Sequence, residues 1–221
     1  MRSTSYYPLF ADLTARRCLV VGGGRLAQRK VQALRQCGAS VTVVSPTLTK
    51  RLAAAARTGA IRHLARRFRA RDLRAMWLVC AATDDERINL LVAQSAERQR
   101  IFTNVVDQTP LCSFIAPAIS RRGPLTIAVS TGGASPSFAK KIRDEMAATL
   151  GREVPSMLRL LAQLRGAAMR RLPLSSDRKR YFDRLVRGRV FELVRRNKAR
   201  EAKAKALKLL ERHLKGPDRN S

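Results

Sequence analysis

The sequence predicts an α/β protein: a parallel, doubly wound sheet over about the first 110 residues, then an extended antiparallel pair, then a helical C-terminal region. Three observations carry this. Short β-branched apolar runs alternate with stretches of helical periodicity up to Val106, and a glycine run, Gly22-Gly23-Gly24, joins the first such run to the first such helix. From Pro155 onward the apolar residues recur only at helical spacing.

Arg17-Cys18-Leu19-Val20-Val21 reads as a strand, and after the glycines Leu26, Lys30, Val31, Leu34 and Arg35 fall at helical spacing. That helix is expected to stop near Cys37-Gly38, since glycine is favoured just past a helix end. The β-branched run from Ala39 to Pro46 is the second strand, which completes a βαβ unit. Leu48 to Thr58 is Ala- and Arg-rich and reads as helix, Ile61 to Leu64 as a short strand, and Met76 to Ala82 as a buried strand closing on Thr83-Asp84-Asp85. Glu86 to Arg98 is an amphipathic helix and Ile101 to Val106 the next strand.

Composition then shifts. Phe114 to Ile119 and Pro124 to Ser130 are extended segments with a turn expected at Arg121-Arg122-Gly123, which suggests an antiparallel pair. Ser135-Pro136 supplies an N-cap and a first-turn proline for a helix to about Leu150. Further on, Leu158, Leu161, Leu164 and Ala168, then Tyr181, Leu185, Phe191 and Val194, form apolar stripes. Arg195 to Leu214 reads as a basic helix, and residues 216–221 have the composition of a disordered tail.

The chain of 221 residues carries 45 Lys+Arg against 16 Asp+Glu, a formal net charge of +29. Residues 1–150 hold 24 basic and 9 acidic residues and residues 151–221 hold 21 and 7, so the final third is the most charge-dense. Such a field attracts polyanions of any class, or is a solvated face, and its sign alone does not choose. No run approaches the ~18 uninterrupted apolar residues of a membrane span, and residues 1–12 lack a signal pattern, so a soluble, unexported, cytoplasmic chain is expected. Cys18, Cys37, Cys80 and Cys112 form no CxxC pair, and only His63 and His213 accompany them. Reduced, core-filling thiols and no metal site are therefore expected.

Gly22-x-Gly24-x-x-Ala27, between a strand and a helix, carries the chemistry of a dinucleotide-binding, Rossmann-type domain. Gly22 permits the tight turn, Gly24 lets a pyrophosphate approach the main chain, and Ala27 keeps the helix close to the strand. The alternative is a glycine turn that binds nothing. The acidic residue expected about 20 positions on is missing, because the second strand ends Val44-Ser45-Pro46-Thr47. Hydroxyls of Ser45 and Thr47 can meet a ribose, and Lys50 and Arg51 lie a turn too far to mark a 2′-phosphate, which favours NAD.

A resemblance becomes visible in the ordered runs Tyr7-Pro8-Leu9-Phe10, Val20 to Gly24, Arg29-Lys30, Ala81 to Asp85, Asn89, Asn104-Val105-Val106-Asp107, Ser113-Phe114-Ile115-x-Pro117 and Ala128 to Pro136. They resemble the precorrin-2 dehydrogenase family, which includes the N-terminal half of siroheme synthase. The resemblance implies NAD-dependent oxidation of precorrin-2 to sirohydrochlorin, with ferrous iron insertion in some members, by a homodimer. It divides the chain into a Rossmann domain (1–112), a dimerisation segment (113–150), a helical C-terminal domain (151–215) and the tail. It implies cofactor contacts at Gly22, Gly24, Arg25, Leu26, Ser45, Pro46, Thr47, Thr83 and Asn104, and substrate contacts at Ser130, Thr131, Gly132 and Gly133. Asp107 aligns with the family aspartate implicated in dehydrogenation and chelation. A positioned carboxylate suits both steps, each of which sheds protons.

Each assignment has a plainer counterpart. Asp107 before Gln108-Thr109-Pro110 also reads as a turn residue, Thr83 and Asp84 as a helix cap, and Ser130 to Gly133 as a connection between strand and helix. Thr131 stands where the siroheme synthase branch tends to have a second serine, which puts any phosphorylation there in doubt. A methyltransferase module is missing, so a separate enzyme is expected to supply precorrin-2. A basic field suits a polycarboxylate substrate. The same field suits a non-catalytic nucleotide sensor or nucleic-acid-binding module with basic helices, although a sequence-specific nucleic-acid partner is not expected.

Overall fold

The computed structural model describes residues 5–214. The tail expected over residues 216–221 lies outside them. The first unit is built on five parallel strands: β1 (Arg17–Val21), β2 (Ser40–Val44), β3 (Arg62–Leu64), β4 (Leu78–Ala81) and β5 (Phe102–Val105). Their order across the sheet is β3-β2-β1-β4-β5, so the chain leaves β1 in both directions and a crevice opens at the carboxyl ends of β1 and β4. Helices α1 (Arg25–Gln36), α2 (Lys50–Arg57) and α3 (Glu86–Arg98) form the crossovers.

Period-two alternation explains why β1 is apolar from Cys18 to Val21, past its exposed first residue Arg17. Cys18 and Val20 point into a core shared with Ala27, Val31 and Leu34 of α1. Leu19 and Val21 point into the opposite core, with Val92, Ala93 and Ala96 of α3. A strand covered on both faces needs apolar residues at every position, which distinguishes it from a half-solvated one. Cys18 and Cys80 are buried free thiols inside this sheet, and burial pushes them up to about 11 and about 12, so they pack as hydrophobes and are not thiolates. Cys37 and Cys112 are partly exposed.

The second compact unit takes in residues 117–131 and, of the described residues, 135–214, while residues 132–134 group with the first. It opens with the hairpin of β6 (Ala118–Arg122) and β7 (Leu125–Val129), paired antiparallel with Arg122 opposite Leu125. The expected turn at Arg121-Arg122-Gly123 is displaced by one residue: both arginines are in β6 and the two-residue loop is Gly123-Pro124. Gly123 adopts φ +57, the left-handed value a tight hairpin loop requires at its first position. The extended segment expected from Phe114 shortens to a strand starting at Ala118.

Helix α4 (Pro136–Thr149) starts where Ser135 Oγ accepts from Phe138 N at 3.2 Å. The helical remainder comprises α5 (Glu153–Arg171), α6 (Ser175–Arg187), α7 (Arg189–Arg195) and α8 (Ala199–Leu214) around one core. The buried stripe of α5 is Met157, Leu160, Leu164 and Ala168, so Leu158 and Leu161 are flanking residues and not its centre. The single basic helix expected from Arg195 is broken: α7 ends there, Asn197 takes φ +60, and α8 buries Ala202, Ala206 and Leu210. Tyr181 is fully buried, donates to Ala206 O at 3.1 Å, and is raised to about 12 by that burial.

Candidate functional site

The glycine run is shaped by sterics at two positions and by openness at the third. Gly22 has φ +116, and a Cβ there would sit 2.2 Å from Ala82 O. A Cβ on Gly23 would lie 1.8 Å from Thr47 O and 2.8 Å from Ser45 Oγ, so the loop must run bare against the end of β2. At Gly24 a Cβ would meet nothing within 4 Å of the protein. Gly22 N donates to Val44 O and Thr49 N to Gly23 O, both at 2.9 Å, which pins the loop between β1 and β2. Gly24 is the N-cap of α1 and offers its first-turn amides no side-chain acceptor. Those donors and the positive end of the helix dipole are available to an anion.

These residues form one wall of a cleft of about 670 Å³. Of the predicted cofactor residues, the structure brings together Gly22, Gly24, Arg25 and Leu26 from the loop, Ser45, Pro46 and Thr47 beyond β2, and Thr83 beyond β4. Arg66, Arg67 and Phe68, which follow β3, complete the lining opposite Asp84 and Asp85. An open glycine, uncapped helix amides and a cleft of this size, all at the carboxyl edge of a parallel sheet, fit a bound dinucleotide.

Thr83 serves both readings made of it. Its hydroxyl donates to Asn89 Oδ1 at 2.8 Å and Asn89 Nδ2 returns a bond to Thr83 O at 3.0 Å, while its residue lines the cleft. Asp85 Oδ1 caps α3 through Arg87 N and Ile88 N. Asn104 differs from the other predicted residues, because it is absent from the cleft lining and only 7% exposed. Its Oδ1 accepts from Lys30 Nζ at 2.6 Å and its Nδ2 donates to Phe114 O at 3.2 Å.

Asp107 lies in the turn that follows β5, on the same edge of the sheet as the glycine loop, and is solvent-exposed. It adopts φ +59, a left-handed conformation in which Asp is among the few tolerated non-glycine residues. The turn is held from below: Cys112 Sγ accepts from Val105 N at 3.1 Å and lies 3.2 Å from Val105 O, its acceptor. Gly132 (φ +63) and Gly133 (φ +92) come back to this turn, with Thr109 Cγ2 3.6 Å from where a Gly133 Cβ would sit. Thr131 Oγ1 accepts from Ser135 N and donates to Ser135 O, both at 3.0 Å, so its hydroxyl shapes the entry to α4.

Four residues of the site were given no role of their own by the sequence. Gly23 matters through contacts with residues 22 and 24 positions away, Asn89 through a buried bond to the cleft loop, Lys30 through Asn104, and Cys112 through a strand it follows. Arg66 is a fifth: its guanidinium grips Asp72 with both carboxylate oxygens, at 2.6 and 2.8 Å. Burial works to raise the Asp72 carboxyl, but the Arg66 fork and the Arg69 amide outweigh it and hold it below its usual range.

Three family models match in succession: "Putative NAD(P)-binding" over residues 9–118, "Sirohaem biosynthesis protein central" over 122–149, and "Sirohaem synthase dimerisation region" over 155–210. The chain belongs to the precorrin-2 dehydrogenase and siroheme synthase family. Within that family it is 43% identical over 205 residues to a siroheme synthase of Thioalkalivibrio sulfidiphilus (strain HL-EbGR7), a match covering 91% of this chain and 42% of that protein. Siroheme synthase 1 of Serratia proteamaculans (strain 568) is 37% identical over 213 residues, 96% of this chain and 45% of that one. The chain thus spans less than half the length of these relatives.

The solved structure of SirC, precorrin-2 dehydrogenase, superposes with a TM-score of 0.75 at 25% identity, over 92% of this chain and 100% of that one. The first unit carries the family's NAD(P)-binding region, matched over residues 9–118. The family's dimerisation region matches the helices at 155–210, whereas the sequence reading expected dimerisation over 113–150. Among the described residues no helix is long and apolar enough to cross a membrane.

Proposed function

We propose that this chain is an NAD-dependent dehydrogenase that converts precorrin-2 to sirohydrochlorin in siroheme synthesis. The observation that carries the reading is the cleft at the carboxyl edge of the sheet, bounded by sterically required glycines, in a chain of this family. Bound NAD supplies the hydride acceptor. The glycine loop and the α1 amides hold the pyrophosphate, Ser45 and Thr47 meet the adenosine ribose, and the Thr83–Asn89 pair keeps the opposite wall rigid.

Asp107 acts as the base. Loss of a hydride from a reduced tetrapyrrole leaves a proton to be shed, and a carboxylate on a turn held by Cys112 accepts it. Gly132 and Gly133 offer main-chain amides to a substrate carboxylate, with Ser130 and Thr131 at the mouth of that loop. The strong positive field of the chain draws in a polycarboxylate substrate. Ferrous iron, as a second substrate, is inserted after dehydrogenation, and Asp107 takes up pyrrole protons in that step as well. The working species is a cytoplasmic homodimer using the helices of 155–210 together with the 113–150 segment, with residues 1–112 as the cofactor domain and 151–215 as the helical domain. No specific nucleic acid takes part.

The test is anaerobic: enzymatically generated precorrin-2 plus NAD, followed by absorbance to sirohydrochlorin, then ferrous iron. Wild type should convert precorrin-2, and Asp107→Ala should lose about 10²- to 10⁴-fold in turnover while NAD affinity is retained. Wild type that binds NAD but converts nothing would sink the dehydrogenase reading. An Asp107→Asn variant with full turnover would remove the base from this residue. Siroheme forming no faster than without protein would remove the iron step alone.

A further inference from the structure

Lys30 has no part in the proposed chemistry, yet its place is specific. It sits in the second turn of α1, the helix that starts at the glycine loop, and is half-buried. Cys80 of β4 stands opposite Asn104 of β5 and belongs to the core that packs against α1. From α1 the lysine side chain reaches the outer strand, where its ammonium donates to Asn104 Oδ1 at 2.6 Å. Among the described residues it has no carboxylate partner. A half-buried cation without a counter-ion is costly to keep, and its one bond has consequences further along.

An ammonium can only donate, so it decides which way the Asn104 amide turns. With Oδ1 toward Lys30, Nδ2 is left to face Phe114 O at 3.2 Å and Cys112 Sγ at 3.6 Å. That thiol accepts from Val105 N at 3.1 Å, and its single hydrogen has Val105 O at 3.2 Å and Gln108 O at 3.4 Å as acceptors. Val105 and Gln108 flank the turn in which Asp107 takes φ +59. One run of hydrogen bonds thus leads from α1 to the backbone on both sides of Asp107. Lys30, Asn104 and Cys112 are all absent from the cleft lining, so none of them is placed to touch the dinucleotide.

We propose that Lys30 is a positioning residue for Asp107, acting through Asn104 and Cys112 to hold the turn that presents the carboxylate. The inference rests on the reading of Asp107 as the base. Without the ammonium the Asn104 amide is free to reverse, which sets its oxygen against the Phe114 carbonyl and takes a donor from the thiol.

Anaerobic kinetics of the full chain with enzymatically generated precorrin-2 and NAD, together with amide hydrogen exchange, test it. Lys30→Met should lower kcat about 10- to 100-fold and leave the KM for precorrin-2 and the Kd for NAD within about twofold, the loss expected when a reacting group is displaced by about an ångström. Cys112→Ala, at the other end of the run, should act in the same direction. In an Asp107→Asn background Lys30→Met should cost less than about twofold, because a residue that acts through another has nothing left to position. Exchange over residues 103–114 should quicken about tenfold in Lys30→Met. Arg35→Met, which removes an exposed cation from the last turn of the same helix, should change neither kcat nor exchange. Wild-type kcat in Lys30→Met, or an equal loss in both backgrounds, would overturn the positioning role, and unchanged exchange over 103–114 would overturn it whatever the activity. If Lys30→Met does not melt cooperatively, Cys112→Ala and its double variant with Asp107→Asn decide by the same criteria. Full turnover by Asp107→Asn would remove the base reading and this inference with it, whereas impaired Asp107→Asn beside an unimpaired Lys30→Met would overturn this inference alone.

Discussion

The two compact units of this chain spend their interiors differently. Among the described residues every buried polar residue, Ser45, Asn89, Ser95, Thr103 and Asn104, belongs to the sheet unit, whereas the helical core is apolar apart from the hydroxyl of Tyr181. Buried polar groups are costly unless bonded, and the two asparagines among them are bonded so as to hold site segments in place. Asn89 holds the Thr83 loop and Asn104 holds Lys30 and the Phe114 carbonyl. The helical unit instead keeps charge out of its core, and residues 151–221 of the sequence hold 21 of the 45 basic residues. Charge density therefore marks the less specified half of the molecule, and buried polarity marks the half that carries the site.

The strongest way to break that comparison is at Gly23. Gly23→Ala must displace backbone at Thr47, so NAD affinity should fall roughly 10- to 100-fold by calorimetry. Gly24→Ala has room within the protein and should keep the melting temperature of the wild type; if its NAD affinity also stays intact, the pyrophosphate does not approach that Cα. In the helical unit Leu164→Ala empties a fully packed core position and should cost roughly 2–5 kcal/mol in chemical denaturation, with NAD affinity unchanged. Loss of NAD binding in that variant would mean that the units do not divide structure and chemistry as described.

The smallest expected effect concerns Asp72. Its carboxyl lies below its unfolded value of 3.8, so its stabilisation is complete above that pH and is lost as pH falls through the folded value. Asp72→Asn should lower Tm at pH 7 by about 2–4 °C and flatten the acid limb of the Tm profile. An unchanged acid limb would assign the loss of stability to other carboxyls.

Much of the sheet unit was legible because its signals are local. A fully apolar run such as Cys18 to Val21, a glycine triplet and a capped helix each declare themselves within a few residues. Element ends were less legible. The hairpin turn moved to Gly123-Pro124 because register is decided by pairing across strands, and the α5 stripe moved by one residue because two overlapping apolar patterns, 158-161-164 and 157-160-164, differ only in what they face. Eight of the nine expected cofactor residues line the cleft, and Asn104 does not, because its strand position turns its amide toward Lys30.

The sequence by itself determined the α/β class and the site of the glycine turn, because strand alternation and glycine backbone freedom are properties of neighbouring residues. Only the tertiary structure decided the strand order β3-β2-β1-β4-β5, the need for a bare Gly23, and the pairing of Arg66 with Asp72. Those outcomes depend on backbone atoms brought together from distant parts of the chain, such as Thr47 O against Gly23 and Asp72 against Arg66. No window of sequence contains a distance between such atoms.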